Sequence, residues 1–310
     1  MSDYKKMDVK EKAQALRKAM KGLGTDDKTL IGVVASTDHA ERMEIVKAYR
    51  ELFKRGLVDD IKGDTSGNYC KLLVGLFQPR ELLMADILHK ATVGKLIGTD
   101  DDMLVSLITQ FPERLPAVKE LYKQRYDHEL AYDVSKDTSG CYRDLLLKRI
   151  DFVHVPVTDP VAEADRIYAN ERDEEYVEVF GGRTKEDLLE IEKAYNAKYH
   201  DMSMAQVVDF DTFTHLARAL FALLVSRPTY FCCVLRNAVH LMGTKERMIN
   251  MVFTLIEKEE LYSVAGAYYE QFQRSLYEDL KSDLSMNYRT LVLALLDDAE
   301  ERWKAKRKAN

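Results

Sequence analysis

The sequence predicts an all-α protein made of four homologous repeats, each with about five short helices. Three observations predict this fold class. One pattern of apolar and aromatic residues recurs four times at a constant interval. Acidic or hydroxyl residues stand before the apolar-periodic stretches, as helix N-cap residues do. No stretch shows the apolar-polar alternation of period two that is typical of β-strands, so we expect almost no sheet.

The recurring pattern predicts one long helix in each repeat. Its three members are four residues apart, which places them on one face of a helix and makes that face the core-facing side. The tyrosine at its centre returns every 73 residues. The pattern consists of Ile45, Tyr49 and Phe53; Val118, Tyr122 and Tyr126; Ile191, Tyr195 and Tyr199; and Val264, Tyr268 and Phe272.

Segments without helical periodicity divide the chain. Residues 151–160 contain two prolines and predict a connector between the second and third repeats. The last residues are basic and include Trp303, a composition that suits either a solvated helix end or a membrane-seeking tail. The predicted order is a short N-terminal segment at 1–10, repeats at 11–78 and 79–150, the connector at 151–160, repeats at 161–225 and 226–298, and a basic tail at 299–310.

Composition limits the classes of function. The chain has 46 basic and 52 acidic residues, which gives a net charge of −6. A protein with this charge is not built to bind nucleic acid or an acidic lipid surface through its own charge. Neither an apolar signal region nor a run long enough to span a bilayer is evident, so we expect a cytoplasmic protein.

Catalytic motifs are not evident either. Asp64 and Asp137 each begin an Asp-Thr-Ser-Gly sequence, as the paired aspartates of acid proteases do, where two carboxyl groups share one proton. Those aspartates belong to β-rich lobes, whereas both copies here precede predicted helices. The seven histidines are scattered, and no P-loop or nucleophile elbow occurs. We therefore expect no enzyme and no small-molecule substrate.

The first repeat combines a glycine loop with a distant acid. The loop runs from Met20 to Thr25 and reads Met-Lys-Gly-Leu-Gly-Thr, and Asp64 follows Thr25 by 39 positions. Calcium takes roughly six to eight oxygen ligands in flexible geometry. Because glycine tolerates unusual backbone angles, such a loop can turn its carbonyls inward. A carboxylate from another loop would supply the negative charge.

This pairing resembles the annexin family, with a Gly-x-Gly-Thr loop, a fixed interval, and an acid before a Thr-Ser-Gly helix start. The resemblance covers about residues 10 to 298 and implies a slightly curved disc of four repeats. It implies Ca²⁺ as the cofactor and an anionic phospholipid membrane as the partner, with the protein peripheral at the membrane surface. The implied ligands are the carbonyls of Met20, Gly22 and Gly24 and both carboxylate oxygens of Asp64, an Asp in place of the more usual longer acid.

The second and fourth repeats keep a weaker form of the pattern. Leu96 and Leu241 stand where the first glycine is expected. Asp137 follows its loop threonine by 38 positions, whereas Asp283 keeps the interval of 39. The resemblance implies weaker ligand sets there, namely Lys95, Gly98 and Asp137 in the second repeat and Leu241, Gly243 and Asp283 in the fourth.

The third repeat departs furthest from the pattern. Asn-Glu-Arg-Asp at 170–173 replaces its glycine loop, although Asp211 keeps the interval of 39 from Arg172. We expect this calcium site to be lost. Such departures are typical of a divergent annexin, such as an alpha-giardin-like member.

Apolar residues in the middle of three loops are candidate membrane contacts. They occupy equivalent positions and can dip into the bilayer interface, with lysines close to the lipid head groups. They can equally pack on neighbouring loops. The candidates are Leu23, Ile97 and Met242, together with Lys21 and Lys95.

A second class of function is a structural or cytoskeleton-associated helical repeat protein with weak or calcium-independent membrane binding. Helical solenoids lack the glycine loop and the distant acid, so that pairing favours calcium-dependent binding without excluding a cytoskeletal protein as a further partner. A glycine loop alone is only a helix-helix turn, and Asp64 could simply cap the helix that follows it.

Overall fold

The computed structural model describes residues 4–22, 24–93, 100–169, 173–200, 203–206, 215–240 and 245–297. These residues are predominantly helical, and no strand occurs among them. The all-α prediction is therefore confirmed. Within this described part of the chain, no helix is both long and apolar enough to cross a bilayer.

Each repeat is a succession of short helices. Those of the first repeat are Val9–Ala19, Asp27–Ala35, His39–Phe53, Leu57–Asp64 and Gly67–Leu76. Those of the second are Arg80–Thr92, Asp101–Gln110, Leu115–Tyr126, Leu130–Asp137 and Gly140–Ile150. Those described in the third are Pro160–Ala169, Asp173–Gly181, Lys185–Lys198 and His215–Leu224. Those of the fourth are Arg227–His240, Glu246–Leu255, Lys258–Phe272, Leu276–Asp283 and Met286–Leu296.

Side-chain caps start several of these helices, as the sequence predicts. Asp8 and Glu11 form a reciprocal capping box, in which each backbone N–H donates to the other carboxylate at 2.8 Å. Thr184 and Asp187 form a second capping box at the start of the long helix of the third repeat. Both satisfy backbone N–H groups that have no partner within the helix.

The predicted stripe faces the core in all four repeats. The aromatic residue at its end lies against the central tyrosine, with ring centroids between 4.9 and 5.1 Å apart in each repeat. The first two members are at most 1% exposed in every repeat, and these are Ile45 and Tyr49, Val118 and Tyr122, Ile191 and Tyr195, and Val264 and Tyr268. The stripe is therefore the repeated core of the fold.

The chain forms two compact units. One contains Met1–Arg80 and Pro228–Asn310, and the other contains Glu81–Arg227. The first repeat thus packs with the fourth, and the second with the third. In each unit the second helix of one repeat packs against the last helix of the other. The pairs are Asp27–Ala35 with Met286–Leu296, Glu246–Leu255 with Gly67–Leu76, Asp101–Gln110 with His215–Leu224, and Asp173–Gly181 with Gly140–Ile150.

The segment between the second and third repeats is not helical until Pro160 begins the next helix. Its backbone is held by hydrogen bonds instead: the Val155 N–H donates to the Gly182 carbonyl at 2.8 Å, and the Arg183 guanidinium donates to the Val155 carbonyl at 2.6 Å. The connector is thus fixed to the third repeat.

Candidate functional site

The glycine loop of the first repeat has the backbone conformation that its sequence suggests. Gly22 has φ +118° and Gly24 has φ +84°, values that other residues rarely adopt. A Cβ atom at either glycine would meet no heavy atom within 4 Å. The need for glycine is therefore conformational and not a matter of space. Met20, at the start of the loop, is buried, whereas Lys21 is exposed.

The structure joins this loop to the distant acid. The Thr25 hydroxyl donates to the backbone carbonyl of Asp64 at 3.0 Å, across the 39 positions that separate them. The Thr65 hydroxyl donates to the Ile61 carbonyl at 2.7 Å, which closes the end of the helix that carries Asp64. The interval noted in the sequence thus corresponds to a direct contact between two loops.

The Asp64 carboxylate has no folding role that the structure reveals. Asp64 is exposed, and among the described residues its side chain makes no hydrogen bond or ion pair. It is the last residue of its helix, where the helix dipole disfavours a negative charge. The alternative that Asp64 caps the following helix is wrong, because Ser66 occupies that N-cap position. Both carboxylate oxygens are therefore available to a cation.

A buried ion pair, which we call the anchor, fixes the two sides of this site. Asp60 lies one turn before Asp64 and is 7% exposed. It accepts hydrogen bonds from the Tyr49 hydroxyl at 2.6 Å, from Arg17 at 2.9 Å and from Arg55 at 2.6 Å. Arg17 lies in the last turn of the helix that leads into the glycine loop. The anchor therefore joins the two helices whose ends form the site.

The protonation states of the anchor follow from its contacts. Burial alone would raise the pKa of Asp60, but hydrogen bonds from Arg55 and Tyr49 outweigh it and lower the pKa overall. Burial, and to a lesser degree the Asp60 carboxylate, raises the pKa of Tyr49 well above its ordinary value. At neutral pH the anchor is a charged carboxylate between arginines and a neutral phenol.

The fourth repeat contains the same anchor. The Tyr268 hydroxyl donates to Asp279 at 2.6 Å, and Arg236 and Arg274 pair with that carboxylate at 3.0 and 2.7 Å. Asp279 is 3% exposed and lies one turn before Asp283. The first and fourth repeats thus hold their candidate acids in the same way.

The second repeat keeps the anchor in an altered form. Tyr122 donates to Asp133 at 2.6 Å, but His128 takes the place of the second arginine, with its Nδ1 3.0 Å from the carboxylate. His89 Nδ1 lies 3.2 Å from the Tyr122 hydroxyl. This repeat therefore relies on histidines where the first and fourth use arginines.

The anchor has a signal in the sequence, although the apolar periodicity does not reveal it. Asp60, Asp133 and Asp279 each follow a stripe tyrosine by eleven positions. They therefore share the 73-residue register of the apolar stripe. The third repeat has Gln206 at this position.

Two further predicted acids lie at helix ends equivalent to that of Asp64. Asp137 is the last residue of Leu130–Asp137, and Asp283 is the last residue of Leu276–Asp283. Three helices of the same type thus end on an aspartate. Equal placement at the end of each helix is what a recurring ligand position requires.

Several other predicted residues lie outside the described part of the chain, so their roles stay predictions. The ends of their loops are described: the Asp100 N–H donates to the Ala91 carbonyl, and the Lys245 N–H donates to the Ala238 carbonyl, both at 3.0 Å. The residues outside the description are Leu23, Lys95, Ile97, Gly98, Asp211, Leu241, Met242 and Gly243.

A cleft of about 400 Å³ brings the acids of the first and fourth repeats together. Its lining includes Asp64 and Asp283, with Asp27 and Glu246 at the starts of their helices, where negative charge is favourable. Asn287 donates to the Asp27 carboxylate. Among the described residues, no group of three or more His, Cys, Asp or Glu side chains could hold a metal ion. The predicted calcium site draws instead on backbone carbonyls and one carboxylate.

The chain is similar in sequence to proteins of the annexin family. The annexin family model matches residues 11–76, 84–148 and 230–295, which lie in the first, second and fourth repeats. Annexin A5 of Bos taurus is 31% identical to this chain over 310 residues, covering 95% of this chain and 96% of the relative.

Solved structures show the same fold. A calcium-bound annexin (Sm)1 matches with a TM-score of 0.82 and 25% identity, over 96% of this chain and 91% of that one. A calcium-bound alpha-14 giardin matches with a TM-score of 0.83 over 93% of this chain and 99% of that one, but at 18% identity this likeness shows the fold alone. With the repeated stripe and the linked glycine loop, these matches establish that the chain belongs to the annexin family, as a divergent member.

Proposed function

We propose that this protein binds anionic phospholipid membranes through calcium held in the first repeat. Membership of the annexin family supports calcium-dependent phospholipid binding in general. The observation that carries the proposal for this chain is the Asp64 carboxylate. It is exposed and has no partner among the described residues, and it lies at the unfavourable end of a helix, linked to a loop of left-handed glycines.

The donor set fits calcium. The proposed ligands are the carbonyl oxygens of Met20, Gly22 and Gly24 and the carboxylate of Asp64. All are hard oxygen donors, as calcium prefers. A bound calcium ion would also remove the unfavourable interaction between the Asp64 charge and the end of its helix. Four such residues leave coordination positions for water or for a lipid phosphate oxygen.

Charge explains why the cation is required. The protein has a net charge of −6, so an acidic bilayer repels it. This repulsion acts at short range, where salt does not screen it. Calcium between the Asp64 carboxylate and a lipid phosphate converts this repulsion into a bridge. Lys21, which is exposed beside the loop, is suited to contact an acidic head group. Leu23 is proposed to contact the membrane from the same loop.

The repeats are proposed to contribute unequally. Asp137 and Asp283 lie at helix ends equivalent to that of Asp64, so the second and fourth repeats are proposed as weaker sites, with Lys95, Gly98, Leu241 and Gly243 as their loop ligands. Ile97 and Met242 are the corresponding proposed membrane contacts. The protein would then be cytoplasmic and peripheral at the membrane surface, and a cytoskeletal protein is a further proposed partner.

Vesicle sedimentation tests the proposal. The full-length protein is mixed with vesicles of phosphatidylserine and phosphatidylcholine, or of phosphatidylcholine alone, in calcium or in chelator. We expect the protein to pellet only with the acidic vesicles in calcium. Equal pelleting in chelator would contradict calcium bridging and favour the calcium-independent alternative. No pelleting in any condition would contradict membrane binding itself.

A further inference from the structure

The fifth helix of the fourth repeat begins with an unusual residue. In the first and second repeats this position is glycine, and Gly67 and Gly140 have φ +64° and +61°. In the fourth repeat the equivalent residue is Met286, with φ +50°. The backbone conformation is thus the same in the three repeats, but only the fourth places a large side chain on it.

Met286 is unfavourable for the folded protein by itself. A left-handed conformation strains any residue with a Cβ atom, and glycine avoids that strain. Its side chain is 84% exposed, the highest value for any large apolar side chain among the described residues. Burial in the protein therefore does not offset the strain. Single exposed apolar residues are common on protein surfaces, but few of them also occupy a strained backbone position.

The location of Met286 suggests what does offset the strain. It follows Asp283 by three positions and borders the cleft that Asp64 and Asp283 also line. Its neighbours Ser285 and Asn287 are polar and exposed. The apolar side chain therefore projects from a polar loop, on the surface where calcium is proposed to meet lipid phosphate.

We propose that Met286 inserts into the bilayer interface when calcium docks the protein, and so acts as an apolar membrane contact of the fourth repeat. This inference rests on the proposed function. A methionine side chain is flexible and apolar and adapts to an irregular environment such as the head-group boundary. Insertion of Met286 adds apolar burial to the bridge formed by calcium. Met286 lies at the start of the fifth helix, whereas the predicted contacts Leu23, Ile97 and Met242 belong to the loops equivalent to the glycine loop.

Substitutions separate this role from a structural one. Met286→Gly copies the first and second repeats, and Met286→Asn keeps a side chain that tolerates the left-handed conformation but is polar. Both should weaken calcium-dependent vesicle binding about three- to tenfold, because they remove apolar burial. Neither should lower the melting temperature in chelator, because both relieve strain. Met286→Leu should keep the wild-type affinity.

Val153→Asn is the matched control. Val153 is 73% exposed and lies in the connector, outside the candidate calcium loops. Its replacement should leave vesicle binding unchanged. If Met286→Gly or Met286→Asn bound as tightly as the wild type, or lowered the melting temperature, the membrane role would be contradicted.

A fluorescence measurement tests insertion directly. The chain has a single tryptophan, Trp303, so Met286→Trp combined with Trp303→Phe places the only indole at position 286. With calcium and vesicles that contain lipids brominated on the acyl chains, we expect strong quenching that chelator reverses. Pelleting in calcium without quenching would overturn the insertion of Met286 while leaving the proposed function intact. An absence of pelleting would instead count against the proposed function.

Discussion

The first and third repeats share the apolar stripe but differ in the polar groups around it. In the first repeat, Tyr49 donates to the buried Asp60, which pairs with two arginines. In the third, Gln206 stands at the position of Asp60, and its side-chain carbonyl accepts from the Ser203 N–H at 2.9 Å, within its own short turn. The family model matches the first repeat. Apolar packing thus maintains both repeats, whereas, among the described residues, only the first has an anchor that joins the helix before the glycine loop to the helix that ends at Asp64.

Removing the anchor should have the largest effect on stability. Asp60→Asn leaves Arg17 and Arg55 without their carboxylate. Because breaking a buried ion pair costs about 3 to 5 kcal/mol and these arginines are partly exposed, we expect a loss of about 2 to 3 kcal/mol. Urea unfolding at pH 7 measures it. Gln206→Ala is the matched change in the third repeat and should cost less than about 1 kcal/mol. Equal losses in the two variants would remove the distinction between the repeats.

The anchor should also give the protein a specific acid sensitivity. The folded pKa of Asp60 is lowered from 3.8 by its hydrogen bonds with Arg55 and Tyr49, despite its burial. A lowered pKa contributes stability that is complete above the unfolded value and is lost as the pH falls through the folded one. We therefore expect the stability advantage of the wild type over Asp60→Asn to begin to fall below about pH 4. The difference in unfolding free energy between the two proteins should be constant from pH 6 to pH 4 and shrink below pH 4, and a difference that stays constant below pH 4 would contradict the role of this carboxylate.

Part of the fold and of the candidate site could be predicted from the sequence. The stripe was predictable because core burial imposes a helical period, and Tyr49 recurs in register. The contact between Thr25 and Asp64 was indicated by their interval. The anchor has a signal in the register, since Asp60 follows Tyr49 by eleven positions as its equivalents follow theirs, but the register alone does not show that this aspartate is buried. The pairing of the first repeat with the fourth depends on packing between distant segments, which no local pattern records.

Backbone conformation was predictable only where glycine marks it. Gly22 and Gly24 indicated a loop with unusual angles, and the structure has them at positive φ. Met286 gave no such indication, since methionine rarely adopts that region. Likewise, Asp64 as a helix end and Asp64 as a helix cap differ by only two positions, which is within the uncertainty of helix boundaries in a sequence.

Exchanging loop residues between repeats should lower the stability less than Asp60→Asn does. Gly22→Leu copies the leucine that the second and fourth repeats have at this position. Because Gly22 has φ +118° and an added Cβ meets no atom, only backbone strain results, and we expect a loss of about 1 kcal/mol in stability. Calcium affinity should fall a few-fold, as the carbonyl remains but its orientation changes. Thermal unfolding and calcium titration test this, and no change in either would show that the loop does not need glycine.

Substitutions at the weaker sites should lower calcium affinity less than one in the first repeat and more than one in the third. Asp137→Asn and Asp283→Asn remove carboxylates at equivalent helix ends, so we expect each to weaken calcium binding less than a change in the first repeat does. Calcium titration calorimetry of the two variants provides the measurement. If either variant lost more affinity than Asp64→Asn, the leading role of the first repeat would be wrong.

Calcium titration calorimetry of Asp64→Asn beside Asp211→Asn tests most directly whether Asp64 is the leading calcium ligand. We expect Asp64→Asn to weaken the tightest calcium site at least about tenfold, because a neutral amide replaces its only charged ligand. Its stability in chelator should be unchanged or slightly higher, because a charge leaves the end of the helix. Asp211→Asn should titrate like the wild type. Equal losses of calcium affinity in the two variants, or a wild-type titration for Asp64→Asn, would contradict the leading role of Asp64 in calcium binding.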